Sequence, residues 1–161
     1  MSEHAIPDVG QLAPDFSLRG PGGAPFSLSE YRGDKNVLIV FYPLAFSRVC
    51  THQLPELQRS LERFEALDTV LFGISVDSYH ANAAFARSLG VTFPLLSDWN
   101  RDTARAYGVL IEDAGFSNRA SFLVGKDGRI LWRDVSESIG SIDEVPSIED
   151  AIAVLEKTAK A

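Results

Sequence analysis

The chain has 161 residues, of which 45% are hydrophobic and 23% are charged, a composition typical of a folded globular protein rather than of a disordered or fibrous one. Its net charge of -7 argues against nucleic acid or an anionic membrane as the main partner, because both attract a basic surface. The protein has one cysteine, Cys50, which excludes an internal disulfide and a Cys-x-x-Cys redox pair.

Length and patterning predict one domain over residues 1–161, since no repeat or linker divides the sequence. No segment approaches the roughly 20 apolar residues of a membrane-spanning helix. The opening sequence, MSEHAIPDVG, lacks the basic and apolar segments of a secretory signal. The expected location is therefore the cytoplasm.

The first predicted elements are two short strands around a Gly- and Pro-rich turn at 20–25, followed by a helical turn that Ser29 could cap. The continuous apolar run at 36–42 predicts a strand buried on both faces. Apolar residues at helical spacing then predict a helix over about 48–67. Because proline removes a helical hydrogen bond, we expect a kink or restart at Pro55.

The second half of the sequence continues the alternation of strands and helices. It predicts a buried strand at 69–76, a helix at 82–89 that stops at Gly90, and a strand at 91–96 that contains Pro94. Proline favours an edge strand, so this strand is expected at the sheet edge.

The last predicted elements are a helix at 101–107 capped by Asp98 or Asn100, a hairpin with strands at 120–124 and 129–133, and a final helix from Ser147 through residue 157. This order of elements predicts an α/β fold, a mixed sheet with helices on both faces. It is compatible with a thioredoxin-like fold.

Cys50 falls in the first turn of the helix that follows the buried strand ending at Pro43. Unpaired backbone N–H groups and the positive end of the helix dipole favour the thiolate there, and the thiolate is the nucleophilic form of cysteine. The dipole lowers the thiol pKa by about one unit, so full ionisation at neutral pH needs a further positive charge. The alternative is a small buried apolar residue.

The spacing Pro43-x-x-x-Ser47-x-x-Cys50 resembles the Pro-x-x-x-Thr/Ser-x-x-Cys signature of the peroxiredoxins. The segments 93–98, 106–109 and 118–124 are also similar to this family, and the similarity extends over about residues 10–157. Within the family, the chain resembles the single-cysteine alkyl hydroperoxide reductase E group and the bacterioferritin comigratory protein group. The resemblance implies a thioredoxin-like fold, with a central mixed β-sheet flanked by helices and an N-terminal β extension.

The resemblance also implies a role for each motif residue in reducing hydroperoxides, without a cofactor or metal. Cys50 is the peroxidatic nucleophile and becomes a sulfenic acid. Arg119 stabilises the thiolate and the transition state. The Ser47 hydroxyl and the backbone N–H of Val49 hold the peroxide, and Pro43 shields the sulfur.

Each of these residues also has a plainer interpretation. Ser47 could cap the helix, Arg119 could form a surface ion pair, and Pro43 could simply end its strand. Two positions depart from the family pattern: Ser47 replaces the usual Thr, and Gln53 stands where Glu is common. Gln53 can accept a hydrogen bond from Arg119 without neutralising it.

Related proteins often carry a second, resolving cysteine five residues after the first, where this chain has Pro55. A sulfenic acid at Cys50 must therefore be reduced from outside, by thioredoxin, glutaredoxin or a low-molecular-weight thiol. The sequence does not decide the oligomeric state, and a homodimer is one alternative because dimers are common in the family. The rival functions are a peroxide-sensing signalling partner with low turnover and a structural or chaperone-like protein.

A few other residues near the motif are interpreted without a catalytic role. Arg48 is read as a solvated side chain, with contact to substrate or partner left open. His52 lies on a different helix face from Cys50, and the scattered histidines predict no metal site. Trp99 and Trp132 are interpreted as packing residues. For Trp99, a position near the substrate pocket or at a subunit contact is the alternative.

Overall fold

The computed structural model describes residues 5–136 and 148–159, and describes residues 48–50 and 52 by their backbone alone. The strands are β1 (Ser17–Arg19), β2 (Pro25–Ser27), β3 (Asn36–Phe41), β4 (Thr69–Ser75), β5 (Leu95–Ser97), β6 (Leu110–Ile111), β7 (Phe116–Ser117), β8 (Ala120–Val124) and β9 (Ile130–Val135). The α-helices are α1 (Arg48–Arg59), α2 (Leu61–Glu65), α3 (Tyr79–Leu89), α4 (Asp102–Ala106) and α5 (Ile148–Ala159). No helix in these ranges is both long and apolar enough to span a bilayer.

Seven of the described strands form one mixed sheet in the order β2-β1-β5-β4-β3-β8-β9. Strands β3, β4 and β5 run parallel to one another, whereas β8 is antiparallel to both β3 and β9. The β1–β2 hairpin joins through the pair Arg19↔Ser97. The predicted mixed sheet, its N-terminal β extension and its C-terminal hairpin are therefore confirmed.

The core lies on both faces of the sheet because side chains of β3 alternate between them, as the continuous apolar run predicted. One face packs against α1, α2, α3 and α5 through Tyr42, Leu54, Leu57, Phe64, Phe85, Ile152 and Leu155. The other face packs against α4 and the short 3-10 helix Leu28–Tyr31 through Leu28, Val37, Ile39, Phe41, Ala104 and Tyr107. Helices thus flank the sheet as expected.

Two predictions drawn from proline, a helix restart at Pro55 and an edge position for the strand that contains Pro94, are wrong. Pro55 lies inside α1, and the break comes later, at Ser60 between α1 and α2. The flanking Leu54 and Leu57 are buried in the core, which holds the helix across the one missing hydrogen bond. Strand β5 begins just after Pro94 and lies inside the sheet, because the β1–β2 hairpin covers its outer side.

The helix ends follow local signals that the sequence showed only in part. Helix α3 stops at Gly90, which adopts the predicted left-handed conformation at φ 70°, but it begins earlier than expected, with Ser78 as its cap. The Asp98 carboxylate accepts the N–H groups of Thr103 and Ala104 at the start of α4. Ser29 is not the cap of its helical turn, because Ser27 holds that position. Ser147 lies outside the described residues, and the β6–β7 pair was not predicted.

Candidate active site

The carboxyl end of β3 brings the predicted site segments to one edge of the sheet. Tyr42 extends the strand with a hydrogen bond from its N–H to the carbonyl of Ile74 (3.0 Å), and the buried Pro43 then ends it. The pairing of Phe41 with Ala120 places Arg119, one residue before β8, at this same edge. Helix α1, with Cys50 in its first turn, starts from the loop 43–47.

This loop contains a tight turn with an unusual residue. The Ser47 N–H donates to the carbonyl of Leu44 (3.3 Å), and Phe46 has φ 66° while Ala45 keeps a negative φ. This is the pattern of a type II turn, whose third position favours glycine. Phenylalanine there costs on the order of 1 kcal/mol. The ring of Phe46 packs against Phe85 of α3, with centroids 4.9 Å apart.

Ser47 occupies the N-cap position of α1 in an extended conformation, but its hydroxyl makes no capping hydrogen bond. Instead, its carbonyl accepts the backbone N–H (3.0 Å) and the hydroxyl (2.7 Å) of Thr51. The amides of residues 48–50 precede this bond and have no acceptor inside the helix. The predicted position of Cys50 is confirmed at the backbone, whereas the capping role for Ser47 is wrong.

Arg119 is completely buried, so its interpretation as a surface ion-pair residue is wrong. Its N–H donates to Asn118 Oδ1 (2.9 Å), and its Nη2 lies 3.4 Å from Ser136 Oγ. The Ser136 N–H donates to the Arg119 carbonyl (2.9 Å), and Asn118 Nδ2 donates to the Ser136 carbonyl. Since a guanidinium stays charged, this edge of the sheet carries a fixed interior positive charge. Sequence reasoning missed the bracing by Asn118 and Ser136.

Gln53 is also buried, with 2% of its surface exposed, and lies nearly one turn beyond Cys50 in α1. Its Oε1 has no hydrogen-bond donor among the residues that the structure describes. A buried amide oxygen without a donor is costly, so this atom marks a place where the interior can accept a hydrogen bond. The predicted hydrogen bond from Arg119 to this oxygen is therefore not formed in the described part of the chain.

A residue that the sequence analysis did not single out reaches into the loop. The Asp77 Oδ2 accepts the N–H of Ala45 at 2.7 Å, in the middle of the turn. Asp77 follows β4, which is the parallel neighbour of β3, so both strands deliver their ends to the same edge. The available signal was a polar Ser-x-Asp-Ser sequence directly after a buried strand, at residues 75–78.

The remaining candidates contribute less to this edge. Trp99 is 64% exposed, so its interpretation as a packing residue is wrong, whereas Trp132 packs against the core as predicted. Within residues 5–136 and 148–159, no three His, Cys, Asp or Glu side chains are grouped to hold a metal ion.

The sequence of this chain and its fold are both similar to those of known proteins. The sequence model of the AhpC/TSA family matches residues 9–133 of this chain. The chain belongs to the AhpC/TSA peroxiredoxin family. The predicted family is thereby confirmed, and the enzyme class with it: the protein is a peroxiredoxin.

Peroxiredoxins of bacteria and parasites are similar to this one along nearly their whole length. Alkyl hydroperoxide reductase E of Mycobacterium tuberculosis is 39% identical over 150 residues, which cover 92% of this chain and 97% of that protein. Peroxiredoxin Bcp of Bacillus subtilis is 31% identical over 151 residues, covering 89% and 96%. The reduced 2-Cys peroxiredoxin of Plasmodium vivax superposes with a TM-score of 0.83 at 28% identity, covering 94% and 96%. Peroxidoxin BcpB of Mycobacterium tuberculosis gives 0.81 at 28% identity, covering 94% and 97%.

Proposed function

We propose that this peroxiredoxin reduces hydrogen peroxide and organic hydroperoxides through a Cys50 sulfenic acid that an external thiol resolves. The observation that carries the proposal is the placement of the only cysteine in the first turn of α1, at the sheet edge where Arg119 is buried. A helix N-terminus and a buried guanidinium both favour the thiolate. The cellular role is antioxidant defence.

In the proposed reaction, the Cys50 thiolate attacks the terminal oxygen of the peroxide and the O–O bond breaks. The leaving hydroxide or alkoxide takes up a proton, and Cys50 becomes a sulfenic acid. The Ser47 hydroxyl, which makes no capping bond, and the backbone N–H of Val49 hold the peroxide in line. Arg119 stabilises the negative charge that spreads over sulfur and oxygen. The buried Pro43 keeps water from the sulfur.

The second half of the cycle follows from the cysteine count. Because Cys50 has no partner cysteine in the chain, an external thiol attacks the sulfenic sulfur, releases water and forms a mixed disulfide. A second thiol then regenerates Cys50. Thioredoxin, glutaredoxin and low-molecular-weight thiols are the candidate donors. The homodimer and the cytoplasmic location stay predictions.

A peroxidase assay against a panel of these donors tests the proposal. We expect Cys50 to consume hydrogen peroxide faster than a free thiolate does, and at least one donor to sustain turnover. Stopped-flow measurement of the reaction between Cys50 and hydrogen peroxide, made without any donor thiol, tests this first step independently of which donor the enzyme uses. A rate constant no greater than that of a free thiolate would refute the peroxidase proposal and favour the peroxide-sensing alternative.

A Gln53→Glu variant should raise the pKa of Cys50 by about one unit. The glutamate would lie at a buried position in the same helix, where its negative charge disfavours the thiolate and offsets the charge of Arg119. Thiolate absorbance, titrated against pH for both proteins, measures the difference. Gln58→Glu is the matched control, because Gln58 lies on the same helix and its side chain binds Thr92 in an exposed setting. Equal Cys50 pKa values in the wild type and in Gln53→Glu would show that the charge at position 53 does not influence the thiol.

A further inference from the structure

The carboxylate of Asp77, two residues after β4, binds the loop that precedes Cys50. Asp77 Oδ2 accepts two short hydrogen bonds, from the Ala45 N–H and from the Ser75 hydroxyl, each at 2.7 Å. The Asp77 N–H in turn lies 3.3 Å from Ser75 Oγ. Hydrogen bonds to an ionised carboxylate are shorter and about twice as strong as neutral ones.

Behind this contact, Ser75 lies in a cluster of buried polar side chains. Ser75 Oγ lies 3.1 Å from Asn82 Oδ1, which accepts the Tyr42 hydroxyl at 2.6 Å. Asn82 Nδ2 donates to the carbonyl of Leu96 (3.2 Å). Ser75, Asn82 and Tyr42 are all buried. The Ser75 hydroxyl, whose one proton is donated to Asp77, is therefore enclosed by buried polar groups at the ends of β3, β4 and β5, which restricts its movement away from the carboxylate.

The loop needs such a support because its backbone is strained. Phe46 adopts φ 66°, which disfavours a non-glycine residue, and the neighbouring Ala45 is the residue whose N–H Asp77 binds. Strain of this size persists only where the surrounding structure imposes it. The same turn fixes Pro43 on one side and Ser47, with the first turn of α1, on the other.

We propose that Asp77 is a positioning residue for peroxide reduction, because its carboxylate sets the turn that carries Pro43 and Ser47 and delivers the first turn of α1. The inference rests on the proposed function, since it concerns the same site. Asp77 acts through the Ala45 N–H and needs no contact with the peroxide. A displacement of about 1 Å in such a slot can cost on the order of 100-fold in rate.

The test compares two reactions of Cys50 in each variant, measured at a pH where the thiol is ionised. Peroxide reduction needs the ordered slot, whereas alkylation by iodoacetamide needs only an accessible thiolate. In Asp77→Ala, we expect the ratio of peroxide to alkylation rate to fall about 10- to 100-fold. In Asp77→Asn, the amide oxygen can still accept both hydrogen bonds, so the ratio should return close to the wild-type value.

Asp127→Ala is the matched control. Asp127 Oδ1 also accepts a backbone N–H, that of Arg129 (3.0 Å), but in the β8–β9 turn. The register Val37↔Val124 against Phe41↔Ala120 puts that turn at the opposite end of the sheet. This control should leave the ratio unchanged. A ratio in Asp77→Ala equal to that in Asp127→Ala would overturn the proposal.

A second variant removes the donor of the hydrogen bond between the Ala45 N–H and Asp77. Ala45 is at the second position of the type II turn, where proline is favoured, so Ala45→Pro keeps the turn and deletes the N–H. Because the proline ring holds the turn and the N–H is gone, Asp77 has nothing left to bind in the loop, so adding Asp77→Ala to Ala45→Pro should change the ratio of peroxide to alkylation rate less than twofold. The proline also keeps this double variant testable if Asp77→Ala alone fails to fold. A ratio in the double variant 10-fold or more below that of Ala45→Pro would contradict the mechanism. A slow wild-type protein, by contrast, would refute the proposed function and the positioning role with it.

Discussion

Cys50→Ser should abolish peroxide reduction and leave the protein folded. The chain has no other thiol, and a serine hydroxyl stays protonated at neutral pH where a thiol at a helix N-terminus ionises. Replacing sulfur by oxygen removes the nucleophile with almost no change in size. Stoichiometric consumption of hydrogen peroxide, followed without any donor thiol, measures the loss.

Thermal unfolding of the same variant supplies the control for this first prediction. The unfolding temperature should stay close to that of the wild type, because the backbone of α1 and its buried Leu54 and Leu57 are unchanged. If the folded serine variant still consumed peroxide, another group would have to carry the reaction, and the role of Cys50 would be wrong.

Arg119→Ala should lower the second-order rate constant for peroxide by about 100- to 1,000-fold, the scale of losing one charged transition-state stabiliser. The guanidinium is fully buried at the edge where α1 begins, so its charge acts with little screening by water. Stopped-flow kinetics over a range of pH separates two contributions. The loss that remains at high pH, where the thiol is ionised in both proteins, reports transition-state stabilisation, and the extra loss near neutrality reports the thiol pKa.

Two further arginine variants make this result specific. Arg119→Lys keeps the charge but loses the planar fork, so we expect an intermediate rate. Arg133→Ala is the matched control, because Arg133 is a partly buried arginine that donates to the carbonyls of Ile6 and Pro7. Its removal should leave the peroxide rate unchanged. A full wild-type rate in Arg119→Ala would show that the proposed role of Arg119 in stabilising the transition state is wrong.

The sequence predicted the elements whose signals are local and regular. The apolar run of β3, the Gly90 stop of α3 and the β8–β9 hairpin were all found by periodicity and turn chemistry. The position of Cys50 in the first turn of α1 also followed from a strand, a proline and a short loop. These signals depend on neighbouring residues, which the sequence displays directly.

The errors arose where distant packing overrides local preference. Pro55 stays inside α1 because its neighbours are held in the core, and Pro94 precedes an interior strand because the N-terminal hairpin covers β5. Asp77 was missed because its partner, Ala45, lies 32 residues away and offers only a backbone N–H. The burial of Arg119 was not predicted, because arginine alone favours the surface and the family resemblance implied only its role toward the thiolate.

The complete enclosure of Arg119 has a consequence for the conditions under which this enzyme works. Mobile ions screen charges in contact with water far more than charges inside the protein. The guanidinium should therefore act on Cys50 with nearly constant strength in dilute and in concentrated salt solutions, and an uncharged oxidant such as hydrogen peroxide gains nothing from surface attraction. In this protein, the ionic strength of the medium would then govern the encounter with a charged electron donor and leave the sulfur–oxygen chemistry almost untouched.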